Sequence, residues 1–188
     1  MYNRKPKTES AMIESAFKLY SEHDIESITN DEIAKDTGHG VATLYRYFGE
    51  KADLVVETAA VKWDEVLSGF SVDESGTAED MLIRFLDSFI DLYRNHKDLL
   101  RFTAFFSTYV VAHNVENTIA YDKVMERYKD WFRKIYEKDD GTVSTSEPLD
   151  EMYFTIYNLM LRMSMRYALI GEGDLEKVKT AVLMMYVE

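Results

Sequence analysis

The sequence predicts an all-α protein in which a small N-terminal helix-turn-helix domain of three helices precedes a larger helical domain. Apolar residues recur at helical spacing along most of the 188-residue chain, which holds only two prolines and eight glycines. Near the N-terminus, a glycine-containing turn separates two short helices at helix-turn-helix spacing. No segment shows the alternation of apolar and polar residues that is typical of a strand, and no internal repeat is visible.

The first four helices follow from apolar periodicity and from one capping motif. Thr29 and Glu32 have the spacing of a capping box, in which each residue satisfies a backbone N–H of the other. An arm bearing Arg4, Lys5 and Lys7 precedes the first helix. The helices expected in this part of the chain cover residues 8–22, about 30–37, 41–48 and about 50–69.

The rest of the chain predicts five further helices. Thr77 and Asp80 again have capping-box spacing, and they mark the restart of the helical pattern after the break SVDESGT. The stretch DDGTVSTSEP, residues 139–148, predicts a loop because turn-forming residues are concentrated there. The expected helices cover residues 77–95, 97–112, 116–138, 148–170 and 174–187.

The turn at Gly38 and Gly40 predicts a DNA-reading element. Gly38 can end one helix with a positive φ, and Gly40 can start the next at a sharp angle with its amides exposed, an arrangement that favours a phosphate. On the second helix, Leu44 and Phe48 are expected to pack against the preceding helices. The opposite face is small and polar, which suits a major groove; it comprises Ala42, Thr43, Arg46 and Tyr47.

The run IAKDTGHGVATLYRYFGEKADL resembles the DNA-binding signature of the tetracycline-repressor (TetR) family of bacterial regulators, and the likeness covers about residues 8–55. The resemblance implies phosphate contacts by Thr29, Tyr45, Tyr47 and Lys51. It implies that the bases are faced by Val41, Ala42, Thr43 and Arg46. Glu50 departs from the family pattern, which usually has a serine-like cap there, so we expect a weaker cap and a negative charge near the DNA backbone.

The charge balance requires segregation of charges within the reading domain. The net charge of −12 argues against a protein that coats nucleic acid over its whole surface, and residues 1–51 contain seven Lys or Arg against nine Asp or Glu. DNA binding therefore requires Arg46, Lys51 and the N-terminal arm to face away from the acidic side chains. Those acidic side chains are Glu14, Glu22, Asp24 and Glu26.

The C-terminal part predicts a ligand-binding and dimerisation domain. Its aromatic residues surround several helices instead of lining one stripe, so they are expected either to form ordinary core or to enclose an apolar cavity. The candidate ligand-binding residues are Phe89, Phe102, Phe105, Phe106, Tyr109, Tyr128, Trp131, Tyr157, Asn158 and Met160. Helices 148–170 and 174–187 are expected to build a homodimer interface, in which Arg162 and Arg166 form ion pairs or anchor an anionic ligand.

These observations favour a cytoplasmic transcriptional repressor with a DNA-reading domain at 1–51 and a ligand-binding and dimerisation domain at 52–188. The expected partners are a double-stranded DNA operator, a small-molecule effector and a second copy of the chain. The absence of cysteine excludes thiolate chemistry, and the four histidines lack metal-ligand spacing, so we expect no catalytic site, metal or cofactor. Nowhere do eighteen apolar residues run together, so we also expect no membrane span. The alternatives are a DNA-binding regulator controlled by a protein partner and, more remotely, a helical enzyme.

Overall fold

The computed structural model describes residues 6–70, 73–138 and 140–187, and in these ranges it confirms the all-α prediction. Arg4 and Lys5 of the expected basic arm lie outside the described residues. A 3₁₀ turn at Ile25–Ser27, which the sequence analysis did not predict, follows the first helix. The helices are α1 (Pro6–Glu22), α2 (Asn30–Asp36), α3 (Val41–Phe48), α4 (Lys51–Leu67), α5 (Ala78–Asn95), α6 (Lys97–Ala112), α7 (Ile119–Lys138), α8 (Leu149–Ile170) and α9 (Leu175–Tyr186).

The chain forms two compact units, each built from two segments. The first takes in the residues up to Gly69 together with Arg101–Val124, and the second comprises Phe70–Leu100 and the residues from Met125 onward. Helix α6 therefore contributes its first four residues to the second unit and the remainder to the first. The functional division expected after residue 51 stays a prediction.

An aromatic core joins α1, α4 and α6 within the first unit. The ring of Phe102 stacks on Tyr20, with centroids 6.1 Å apart, and it receives the edge of Phe17 at 5.7 Å. Trp63 is fully buried, and its indole N–H donates to the hydroxyl of Thr103 at 3.0 Å. Buried indole groups usually find such a partner, because an unpaired donor is costly in an apolar core.

The second unit is organised around Phe85 of α5. Its ring contacts Trp131 and Phe132 of α7, with centroids 5.3 and 5.5 Å away. The expected loop after α7 contacts the N-terminal end of α5, where the backbone N–H of Ala78 donates to a carboxylate oxygen of Asp140 at 2.9 Å. Burying these aromatic rings supplies much of the apolar stabilisation of this unit.

Candidate DNA-reading surface

Helix α2 is capped at its start by Thr29 and Glu32, and it ends in the glycine turn that leads to α3. The N–H of Thr29 donates to the Glu32 carboxylate at 2.7 Å, and the N–H of Glu32 donates to the Thr29 hydroxyl at 3.2 Å. These bonds from Thr29 hold the pKa of the Glu32 carboxyl below its usual value. After α2, Gly38 has a φ of +71°, as its role as helix terminator requires. The predicted capping box and turn are therefore present.

Gly40 plays a smaller conformational role than the sequence suggested. Its φ is −78°, a value that any residue adopts, so the sharp entry into α3 does not depend on a glycine. A Cβ built at this position would meet no atom within 4 Å, and no side chain caps α3. Gly40 therefore keeps the backbone N–H groups at the start of α3 uncovered, which remains compatible with an approaching phosphate.

Helix α3 presents a narrower exposed face than expected. Ala42, Tyr45 and Arg46 are exposed, and Tyr45 keeps half of its surface in solvent. Tyr47 retains only 4% exposure, so the prediction that it projects from the reading face is wrong. The reason is its position three residues after Leu44, which is fully buried: residues at this spacing share one side of a helix. Val41 and Thr43 are half-buried, at the border of the exposed face, and Phe48 is buried as predicted.

The start of α4 is capped by a carboxylate that the sequence analysis did not consider. The side chain of Asp53 reaches back and accepts a hydrogen bond of 3.0 Å from the N–H of Glu50. Asp53 therefore satisfies one backbone N–H at this end of α4, and the weaker cap expected of Glu50 stays a prediction. The resemblance to the TetR pattern gave no reason to examine Asp53, but its spacing of three residues from Glu50 was the available signal.

Lys51, expected to hold a DNA phosphate, also lies against other residues of the first unit. Its ammonium nitrogen donates to the backbone oxygen of Glu26 at 3.4 Å and lies 5.8 Å from the centroid of the Tyr109 ring. Partial burial is the largest influence on this group and lowers its pKa. A cleft of about 510 Å³ opens beside it, lined by residues 50–53, Tyr109 and residues 113–117. The phosphate role of Lys51 stays a prediction.

Two acidic side chains of the reading region each contact a side chain of the same unit. Glu14 pairs with Lys62, which is 8% exposed and also binds Glu65 at 2.9 Å. Glu26 pairs with His113, with 2.8 Å between the carboxylate and imidazole atoms. The ion pair with Lys62 partly offsets the charge of Glu14. The wider segregation of charges that DNA binding requires stays a prediction.

The predicted ligand-binding residues divide between the two units. In the first unit, Phe102, Phe106 and Tyr109 are buried and Phe105 is half-buried. In the second, buried or half-buried positions are held by Phe89, Tyr128, Trp131, Tyr157, Asn158 and Met160.

Trp131 is the most informative member of the second set. Its indole N–H is buried and has no hydrogen-bond partner in the described part of the chain. The side-chain amide of Asn158, in contrast, donates to the oxygen of Phe154 on its own helix at 2.8 Å.

Helices α8 and α9 leave large apolar side chains in solvent. Met184 and Met185 of α9 are 83% and 62% exposed, and Leu169 and Ile170 at the end of α8 are 47% and 56% exposed. Arg162 and Arg166 lie on exposed positions of α8. Several large apolar side chains exposed on neighbouring elements are a candidate contact surface for another molecule.

Among the described residues, no cluster of three His, Cys, Asp or Glu side chains could hold a metal ion. No helix in those ranges is both long and apolar enough to cross a bilayer.

Comparisons with known proteins support the DNA-reading assignment. Residues 12–58 match the model of the bacterial regulatory proteins, tetR family. An HTH-type transcriptional regulator of Staphylococcus aureus (strain MRSA252) is 32% identical over 90 residues, which are 47% of this chain and 49% of that protein. Another, from strain USA300, is 49% identical over 41 residues, 22% of either chain. The chain thus spans about half or less of the length of these curated relatives.

Solved structures match over nearly the whole chain. The fatty acid degradation regulator FadR from Bacillus halodurans superposes with a TM-score of 0.72 at 18% identity, covering 98% of this chain and 96% of the other. FadR from Bacillus subtilis, in complex with stearoyl-CoA, gives a TM-score of 0.67 at 17% identity, covering 94% of this chain and 96% of the other. A TetR transcriptional regulator from Agrobacterium tumefaciens gives 0.68 at 16%, covering 97% and 95%. At these identities the likeness establishes the fold.

Proposed function

We propose that this chain, whose residues 12–58 match the model of the tetR family of bacterial regulatory proteins, is a cytoplasmic repressor. A small, largely apolar molecule would release it from its DNA operator. The observation that carries the DNA-binding part is the exposed face of α3, where Ala42, Tyr45 and Arg46 follow a capped helix and a glycine turn. A helix of this kind enters the major groove and reads base edges with its exposed side chains. The family is one of regulators and not of enzymes, and we propose no catalytic activity.

A homodimer completes the proposed reading unit. One short helix contacts too few bases to select a single site in a genome, whereas a two-fold dimer reads two half-sites about 34 Å apart. The exposed methionines and leucines of α8 and α9 supply an apolar surface for this contact. Arg162 and Arg166 would then lie close to the second copy, where arginine readily forms bidentate ion pairs with carboxylates.

The aromatic cluster of the second unit supports control by an apolar effector. Phe89 and Tyr128 stack with centroids 5.3 Å apart, and the buried indole N–H of Trp131 could donate to an acceptor atom of the effector. An unpaired buried donor costs about 1–3 kcal/mol, so a ligand that satisfies it gains affinity. The two FadR neighbours lend support, because they share this fold and one of them binds stearoyl-CoA, a ligand with a long apolar chain.

Selection of DNA from a random pool, followed by titration of the enriched duplex, tests the DNA-binding proposal. We expect an enriched inverted repeat with half-sites one helical turn apart, and loss of specific binding in Arg46→Ala. Arg133→Ala, in α7 of the second unit, is the matched control and should bind as wild type does. Enrichment of no sequence, or equal affinity of Arg46→Ala, would contradict the proposal.

Mass spectrometry of the purified protein and thermal-shift screening of metabolites test the effector. A bound apolar molecule that raises the unfolding temperature and weakens operator binding would support the repressor, because a ligand shifts an equilibrium only by its differential affinity for the two states. A regulator controlled by a protein partner is the second candidate, and the exposed apolar surface of α8 and α9 is the observation in its favour. That candidate gains if no small molecule stabilises the protein while a bound protein alters operator affinity.

A further inference from the structure

Four side chains of the first unit form a closed circuit of contacts at the end of α6. Glu26 Oε2 lies 2.8 Å from His113 Nε2. The His113 ring packs on Tyr109, with centroids 4.4 Å apart, and the Tyr109 centroid lies 5.8 Å from Lys51 Nζ. The circuit closes because Lys51 Nζ donates to the backbone oxygen of Glu26 at 3.4 Å. We refer to these four residues as the clamp.

The clamp holds both ends of the helix-turn-helix. Glu26 lies in the 3₁₀ turn that leads into α2, and Lys51 is the first residue of α4, two positions after the glycine that ends α3. The segment between them therefore contains α2, the turn and α3. Tyr109 lies on α6 and His113 directly follows it, so the end of this one helix contacts both limits of the DNA-reading segment.

We propose that His113 and Tyr109 are positioning residues for operator binding, because they fix the two ends of the helix-turn-helix to the end of α6. This inference rests on the proposed DNA-binding function. Helix α6 is continuous and contributes residues to both units, so a displacement of α6 would act on Glu26 and Lys51 together.

The exposure of the His113 and Glu26 side chains allows a positioning role in DNA binding to be distinguished from a role in folding stability. The side chains of His113 and Glu26 are 42% and 63% exposed. Exposed ion pairs contribute little to folding, so their removal should shift the unfolding temperature by no more than about 2 °C. Operator binding needs one particular arrangement of α2 and α3, so it responds to a loosened clamp even where the unfolding temperature does not. The two measurements therefore distinguish positioning from stability.

The test is a double-mutant cycle on the full chain, using the duplex enriched by DNA selection. The variants are His113→Ala, Glu26→Ala and the double substitution, with operator affinity from fluorescence anisotropy and unfolding temperatures measured in parallel. We expect each single variant to bind about threefold to tenfold more weakly, and the double variant to bind no more weakly than either. His113→Gln, which keeps an N–H donor able to reach Glu26, should recover most of the affinity.

His96→Gln is the matched control, because His96 is exposed at the end of α5 and belongs to the second unit. It should change neither affinity nor unfolding temperature. Wild-type affinity in His113→Ala, additive losses in the double variant, or a loss matched by a large fall in unfolding temperature would overturn the clamp while leaving DNA binding intact. A wild-type protein that enriches no sequence would overturn the proposed function and the clamp with it.

Discussion

Two tyrosines of α3, two positions apart, allow DNA contact to be separated from folding. Tyr45 is 50% exposed and Tyr47 only 4%, so substitution by alanine removes a solvent-facing ring at one position and a packed ring at the other. A fully buried aromatic ring replaced by alanine costs about 3–5 kcal/mol, because the transfer free energy is lost and a cavity remains. We therefore expect Tyr47→Ala to lose about 3 kcal/mol of unfolding free energy and Tyr45→Ala less than about 1 kcal/mol.

Thermal unfolding and operator titration measure the two effects. For a chain of this length, 1 kcal/mol corresponds to about 2–4 °C, so Tyr47→Ala should unfold about 6–12 °C below wild type. Tyr45→Ala should unfold within about 3 °C of wild type but bind the operator more weakly, because its exposed phenol is placed to reach DNA.

Tyr47→Phe isolates the hydroxyl of the buried tyrosine. It keeps the packed ring, so a loss of affinity at an unchanged unfolding temperature reports the contribution of the hydroxyl to DNA binding. If that hydroxyl holds a phosphate, as the family resemblance implies, affinity should fall about tenfold. Equal destabilisation by Tyr45→Ala and Tyr47→Ala would refute the division of α3 into an exposed and a packed face.

Three further predictions concern charge, assembly and pH. If Lys51 holds a phosphate, Lys51→Gln should weaken binding to all sequences and reduce the slope of log affinity against log salt concentration by about 0.9. The control Lys129→Gln, in the second unit, should change neither quantity. Weaker binding with an unchanged slope would assign Lys51 to the clamp alone. Met184→Asp should halve the mass seen by light scattering from twice 21.9 kDa, while Val111→Asp, equally exposed but on α6, should leave a dimer; a wild-type monomer contradicts this. Hydrogen bonds from Thr77 lower the pKa of Asp80 below 3.8, so its charge stabilises the fold above that pH and the benefit disappears as pH falls through the lowered value. The gap in unfolding free energy between wild type and Asp80→Asn should therefore shrink only in acid, and a gap independent of pH would contradict this.

Local signals in the sequence predicted the helices well. Thr29 and Glu32, and likewise Thr77 and Asp80, form the capping boxes that their spacing indicates, and α2 and α5 begin directly after the predicted caps. Gly38 adopts the positive φ expected of a helix terminator. These features depend on residues a few positions apart, so the sequence contains all the information that they need.

Side-chain orientation at the edge of a helix was less predictable. A helical wheel places Tyr47 near the boundary between the two faces of α3, and only the packing of neighbouring helices decides whether a boundary residue is covered. Lys51 presents the same difficulty, since the carbonyl and the aromatic ring that it contacts belong to distant segments of the chain. For such residues, tertiary context outweighs the local pattern.

The clamp could not be predicted from the sequence, because it too depends on contacts between distant segments. It also bears on how a small DNA-reading domain with more acidic than basic residues could bind DNA. His113 and Glu26 are far apart in sequence, and neither stands in a motif, so only the fold brings them together. Their pairing occupies one acidic side chain close to the reading segment, as Lys62 occupies Glu14. We therefore expect the clamp to fix the position of α2 and α3, and the pairing of Glu14 with Lys62 to reduce repulsion of the DNA backbone. If both effects act, Glu26→Ala should lose less affinity than His113→Ala, because removing the acid also removes its repulsion of phosphate.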